Sequence, residues 1–255
     1  MMTYNRRIAN YERYEYRAMV IYRAGLRKYL KKQAIRIAAF VEKFPETKEF
    51  TEREIEDIAW EIVEMYDFYG DMEELQELIK QYMMTIGNMG NNLANIQLYS
   101  SNIDYKPFSI IEDKYTRYID DYSLIQAEEI THTTKKRTRK VIKDGMLQGK
   151  SYSQIAVDIV DKTDIESLGR AKTIATTEVH TSFMTTRHLN AEQGNFKEKL
   201  WLTSGDRSVR PLHQEYGSLG YVPYDYMYGG IMLYPGDPNG FAGDVINCRC
   251  EIVYR

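Results

Sequence analysis

Cysteine and tryptophan are scarce, with two of each in 255 residues, and both cysteines stand in Asn247-Cys248-Arg249-Cys250. Residues two apart in an extended strand point the same way, with Cβ atoms beyond the roughly 3.5 to 4.5 Å that a disulfide requires, so reduced thiols are expected and a disulfide framework is excluded. No stretch approaches the roughly 18 apolar residues of a membrane span, and the opening MMTYNRRIANYERYEY lacks the apolar core of a secretory signal. Synthesis and action are therefore expected to begin in the cytosol, with no membrane partner. Charge of one sign is also lacking: 34 Lys and Arg against 37 Asp and Glu leave a net charge of −3, which excludes a globally basic nucleic-acid protein and a disordered polyelectrolyte. A P-loop, a glycine-rich dinucleotide turn, a G-x-S-x-G elbow and an H-E-x-x-H zinc helix are all missing, so the common enzyme signatures fail.

What is present is mostly helical patterning. Apolar side chains at Ile8, Tyr11, Ala18, Ile21, Tyr22, Tyr29, Ile37 and Phe40 keep a helical period over residues 4–44 until Pro45 stops it. Thr51 with Glu54 has the form of a capping box, and a second helix follows through Ile55, Ile58, Ala59, Ile62, Val63 and Tyr66 to Gly70. Asp71 with Glu74 repeats the start signal for a third helix, which Gly87 and Gly90 are expected to weaken or end. Residues 100–107 read as a connector, with helices returning at 109–130 and 134–148. Gly149 closes that pair. Ser151 with Gln154 starts a short helix, and a longer one runs from about 165 to Gln193 and stops at Gly194. The 62 residues from Gly194 onward then hold nine of the 16 glycines and four of the six prolines. Short β-favouring runs at 200–203, 231–234 and 245–253 alternate there with turn clusters. The fold class expected is α+β: a long helical region, 1–105, followed by a module at 106–255 whose helices (109–193) lead into strands and turns (194–255) with a short antiparallel sheet.

Charge is unevenly placed. Residues 1–41 carry ten basic and two acidic side chains, whereas 42–78 carry fourteen acidic and three basic. One reading has the first helix antiparallel to the next two with opposite charges meeting along the seam. The other is a basic face that tracks nucleic-acid backbone through Arg13, Arg17, Arg23, Arg27 and Lys31, with tyrosines interleaved among the chain's 22. A second cluster, Lys135, Lys136, Arg137, Arg139, Lys140 and Lys143, fits either solvated surface or phosphate contact.

In the tail Asp206, Arg207, Arg210 and His213 precede Asp237, Asn247, Cys248 and Cys250, a polar set able to converge. A zinc reading uses His213, Cys248 and Cys250 and needs a fourth ligand from Asp206, His180 or His188, none at a diagnostic spacing. Taken singly, Asp206 reads as an ion pair with Arg207 or Arg210 that pins a turn, Trp201 as core, and His180 as a packing residue.

The order of several stretches resembles the Mu F-like minor head (head morphogenesis) family of tailed bacteriophages over about residues 130–255. These are Gly149-Lys150-Ser151, the run Arg170-Ala171-Lys172-Thr173-Ile174-Ala175-Thr176-Thr177-Glu178, Lys199-Leu200-Trp201, Asp206-Arg207-Ser208-Val209-Arg210, His213, Tyr234-Pro235-Gly236-Asp237-Pro238 and Asn247-Cys248-Arg249-Cys250. The resemblance implies a structural virion component, assembled in the host cytoplasm and placed at the portal vertex or capsid interior. Its implied partners are the portal protein and the major capsid or scaffolding protein; packaged double-stranded DNA is a further expected partner, of the basic helices, because the genome supplies dense phosphate at close range. No turnover is implied. Some relatives carry cysteines where this chain has Arg210 and His213, which with the last two would make a four-thiolate zinc site. Arginine cannot ligate zinc. The expectation is therefore no metal or other cofactor, no catalytic residue, and a structural cluster of Asp206, Arg210, His213, Asn247, Cys248 and Cys250. The competing reading is a nuclease or toxin-like enzyme built on Asp206, Arg210 and His213.

Overall fold

A computed structural model describes residues 4–45, 50–99 and 113–255. In order it has α1 (Tyr4–Val41), α2 (Glu52–Met65), α3 (Phe68–Tyr99), α4 (Asp113–Leu147), α5 (Tyr152–Gln193), β1 (Glu198–Leu202), α6 (Pro211–Ser218), β2 (Tyr221–Pro223), α7 (Ala242–Val245) and β3 (Glu251–Tyr254). The α+β class holds, with a small antiparallel sheet after a long helical region. The connector at 100–107 and the boundary at 105/106 lie outside the described residues. Two compact units divide the chain, one of 24–80 with 121–171, the other of 1–23, 81–120 and 172–255.

In the 24–80 and 121–171 unit, α2 starts as its sequence demands. The Thr51 side chain accepts from the Glu54 N–H while the Glu54 carboxylate accepts from the Thr51 N–H, closing the capping box. Ser151 and Gln154 do the same at the head of α5. The core joins Ala34, Ile37 and Val41 of α1 to Ala59, Ile62 and Val63 of α2, with Phe68, Ile142, Ile155 and Ile159 completing it. α2 ends at Met65 and α3 begins at Phe68, so Gly70 does not stop a helix and Asp71 does not cap one. Asp71 is instead buried in the first turns of α3 and collects donors. The Tyr66 hydroxyl reaches Oδ2 at 2.9 Å and the Gln33 amide at 3.0 Å, Arg36 pairs with Oδ1, and the Tyr29 hydroxyl donates to the Asp71 carbonyl at 2.6 Å. Lys32 and Arg36 also pair with Glu74. Two basic side chains of α1, Lys32 and Arg36, thus meet the acidic run on α3, as the seam reading expects.

The other unit is built round the second half of α5. Residues 177–186 are buried without exception, although seven of them are Thr, Ser, His or Glu. A helix enclosed on all sides shows no amphipathic stripe, which is why its periodicity was weak in the sequence. Three of its hydroxyls are satisfied locally: Thr177, Thr185 and Thr186 donate to the carbonyls of Thr173, Thr181 and Ser182. Ala18 and Tyr22 of α1, Met83 and Ile86 of α3, and Tyr115 and Ile119 of α4 are buried in this unit as well. Gly87 and Gly90 do not end α3. A Cβ on Gly87 would stand 2.1 Å from the Tyr115 hydroxyl, so glycine is there for the close approach of α4, and Tyr115 continues to Ser182 Oγ at 2.9 Å.

The expected helix breaks at 131–133 and 160–165 do not occur; α4 and α5 run through them. The sheet order is β2-β1-β3, both pairings antiparallel, with Lys199 opposite Val222 and Tyr254, and Trp201 opposite Ile252. The run 231–234 is a turn carrying one bridge, Tyr228 to Met232, and 245–253 divides into the end of α7, a turn and β3. Alternation along β1 buries Lys199 and Trp201 together. The Lys199 ammonium donates to the Leu233 carbonyl at 2.8 Å and stands over the rings of Tyr224 and Tyr228, and burial pulls its pKa down to about 8. Asp237 fastens the adjoining turn by accepting from the backbone N–H groups of Leu233 and Asn239. Gly236, at φ +76, lets that turn lie on His180, whose Cδ2 is 3.0 Å from the place a Cβ would take.

Candidate functional site

The last strand and α6 bring three side chains to one point. Pro211 opens α6 with its fixed φ, and Arg210 before it is extended, so the helix is aimed with His213 facing inward at 1 % exposure. Trp201 of β1 packs edge-on against His213, with ring centroids 5.0 Å apart, and also against Tyr216 and Tyr228. After α7 the chain reverses at Asn247, which takes φ 55, a left-handed conformation that asparagine tolerates. Its N–H donates to Thr177 Oγ1 at 3.1 Å, fixing the turn to α5. The extended stretch that follows alternates, so Cys248 and Cys250 are buried while Arg249 points to solvent.

Cys250 Sγ lies 3.5 Å and Cys248 Sγ 3.7 Å from His213 Nδ1. On the other side of the ring, Nε2 stands 3.7 Å from Asp244 Oδ1, too far for a hydrogen bond, and has no partner. The two thiols differ. A hydrogen bond from Cys248 draws Cys250 below the ordinary thiol range, against the opposing pull of burial, and His213 adds to the effect. Cys248, giving that bond and buried, is pushed up.

The remaining expected residues of the cluster have other tasks. Asp206 is exposed and accepts from the Ser208 N–H at 2.8 Å. Its ion pair is with Arg249, at 2.8 Å, and not with Arg207 or Arg210 as the sequence led us to expect. Arg210 turns to the carbonyl of Ile246. Neither His180 nor His188 approaches the sulfurs. His180 Nδ1 meets Glu15 Oε1 at 2.9 Å; burial pulls its pKa down, but the Glu15 carboxylate outweighs burial and leaves it above the ordinary value. His188 is stacked on Tyr224, with Nδ1 at 2.8 Å from the Tyr254 hydroxyl and Nε2 at 3.1 Å from that of Tyr224. Burial, and Lys199 after it, lower its pKa to about 3, so it is neutral. Among the described residues, the one group of three or more close metal-type donors is His213, Cys248 and Cys250.

The basic residues separate by surroundings. Arg13 and Arg17 are exposed on α1, and Arg23, Arg27 and Lys31 are half-buried. In the second cluster, Lys143 and Arg139 pair with Glu56, and Lys135 with Glu64, on the acidic α2; Arg139 also covers the Trp60 ring at 5.1 Å. Lys136, Arg137 and Lys140 are exposed. Arg137 and Lys140 line a cavity of about 200 Å³ between α1, α4 and α5, together with Lys162, Arg170 and the carboxylate of Asp144. Arg170 is held there by bonds to Thr134 Oγ1 and the Ile130 carbonyl.

Asp244 was not legible from sequence, because an acid in a four-residue helical turn carries no signal of its own. The Arg249 partner of Asp206 was missed for a similar reason: it comes from 43 residues away.

Residues 136–253 match the family model described as Phage Mu protein F like protein. Neither the curated proteins nor the solved structures provide a match. The matched segment contains every residue of the cluster. A four-thiolate zinc site does not fit these residues, since Arg210 has no lone pair to give and His213 presents an imidazole; three donors, one nitrogen and two sulfurs, do fit a soft divalent metal.

Proposed function

From the match of residues 136–253 to the Phage Mu protein F like family we propose that this chain is a minor structural protein of a phage head, recruited during head assembly through the portal or the inner capsid surface. The family match carries the proposal. The way the tail is built supports a role without turnover: Asp206 is spent on Arg249 and Arg210 on a backbone carbonyl, while His213 is sealed beneath Trp201, so the three do not line a common cleft. No helix among the described residues is long and apolar enough to cross a membrane.

Copurification after coexpression with portal or major capsid protein tests the assembly role. Deleting residues 1–44 is unsuitable for this purpose, because Ala18, Tyr22, Leu26, Leu30 and Ile37 of α1 are core residues. Reversing charge at exposed positions, Arg13→Glu with Arg17→Glu, leaves those cores intact. The full chain is expected to cosediment with portal rings or capsid shells, and free sedimentation of a folded chain in the presence of both would refute the role. A nucleic-acid degradation assay with and without divalent metal covers the competing enzyme reading; cleavage that disappears in His213→Ala would favour it.

DNA contact inside the head is the second part of the proposal. Arg137, Lys140 and Lys162, exposed cations that line one cavity together with Asp144, favour it, since exposed cations suit phosphate. Binding to duplex DNA should weaken with salt, and Lys140→Gln should reduce the slope of log K against log [salt] by about one. A salt-independent interaction would exclude backbone contact.

A further inference from the structure

His213 Nδ1 faces two sulfurs at once, at 3.5 and 3.7 Å, and a single ring nitrogen cannot make a good hydrogen bond to both. A metal at the centre accounts for both distances. Zinc bonds of about 2.3 Å to sulfur and about 2.0 Å to nitrogen, arranged as a tetrahedron, separate nitrogen and sulfur by about 3.5 Å. The far side of the ring carries independent information. Nε2 is fully buried without a partner, and the Asp244 carboxylate faces it at 3.7 Å. A histidine that ligates a metal through one nitrogen usually donates its other N–H to a carboxylate, which sets the tautomer and ring orientation. Ligation through Nδ1 would place the proton on Nε2, and a small closing movement would bring it into hydrogen-bond range of Asp244.

We infer that His213 Nδ1, Cys248 Sγ and Cys250 Sγ bind one zinc ion, and that Asp244 is the outer carboxylate positioning the imidazole. The charge balances: both thiols give their protons to solvent on binding, and two thiolates with a neutral imidazole neutralise a divalent ion. Arg210 supplies no fourth ligand, since it is engaged with the Ile246 carbonyl and has no lone pair to offer. No other His, Cys, Asp or Glu among the described residues joins the group. The inference stands on the cluster alone, so its failure would leave the assembly role untouched, and the reverse.

The test uses the full chain, stripped by chelation and titrated with zinc or cobalt. One zinc per chain is expected by elemental analysis, and cobalt should give tetrahedral visible bands with a thiolate charge-transfer band in the near ultraviolet. Asp244→Asn should weaken zinc 10- to 100-fold without changing the visible bands. His213→Cys should keep the stoichiometry and strengthen the charge-transfer band. A folded wild-type chain that takes up substoichiometric zinc, or whose cobalt spectrum lacks thiolate character, overturns the site, whether or not Cys248→Ser and Cys250→Ser variants fold. Unchanged affinity in Asp244→Asn overturns the positioning role.

Discussion

Asp71 shows how far a local motif can mislead. With Glu74 three residues on it has the form of a capping box, yet it lies inside α3 and gathers Tyr66, Gln33 and Arg36 in a buried site. Asp71→Ala leaves those donors unsatisfied and Arg36 without its main counter-ion, and is expected to cost about 3 kcal/mol, read as a lower urea midpoint at unchanged slope. His188 makes a pH prediction. Its folded-state pKa of about 3 lies below the ordinary 6.5, so the unfolded chain binds the extra proton first as pH falls. The stability this residue contributes is complete above pH 6.5 and is lost progressively from there down toward pH 3. His180 has the opposite sign, since its raised pKa gives stability at low pH that fades as pH rises through the folded value. Urea titrations at several pH values should show a shallower acid slope in His188→Asn than in the wild type. A cysteine-histidine set was legible from residue type and order, because such residues are few; Asp244 was not, because carboxylates are common and only the fold selects this one.

At the scale of the element, starts were easier to read than ends. Two capping boxes, at Thr51 and Ser151, are present as the sequence implied, because a cap is a local reciprocal bond between residues three apart. Gly149, at φ +69, does close α4. Gly87 and Gly90 looked like breaks but serve packing, a purpose set by residues distant in sequence. Gly87→Ala tests this directly. Helix propensity alone would favour alanine by about 1 kcal/mol, whereas the 2.1 Å encounter with the Tyr115 hydroxyl should reverse the sign and destabilise by about 1 to 3 kcal/mol in thermal or urea unfolding. Strands were harder. β2 is three residues long, and the apolar run at 231–234 became a turn because Gly229 and Gly230, both at positive φ, precede it and Asp237 ties it back.

For the molecule as a whole, the class was legible from the change of composition near Gly194, while the interior was not. The helix over 177–186 is polar in sequence and buried in fact, so no hydrophobicity argument could have placed it at the centre of its unit. Lys199 is the extreme case, a cation at 0 % exposure on the inner face of a strand. An amine with its pKa lowered to about 8 would be an unusually good nucleophile in neutral buffer, yet here it is walled off by Tyr224 and Tyr228. Under pulse labelling with an acylating reagent, surface lysines should react at once and Lys199 only as the sheet opens. Peptide mapping at that position would then time the opening, giving the protein a native clock for its own unfolding.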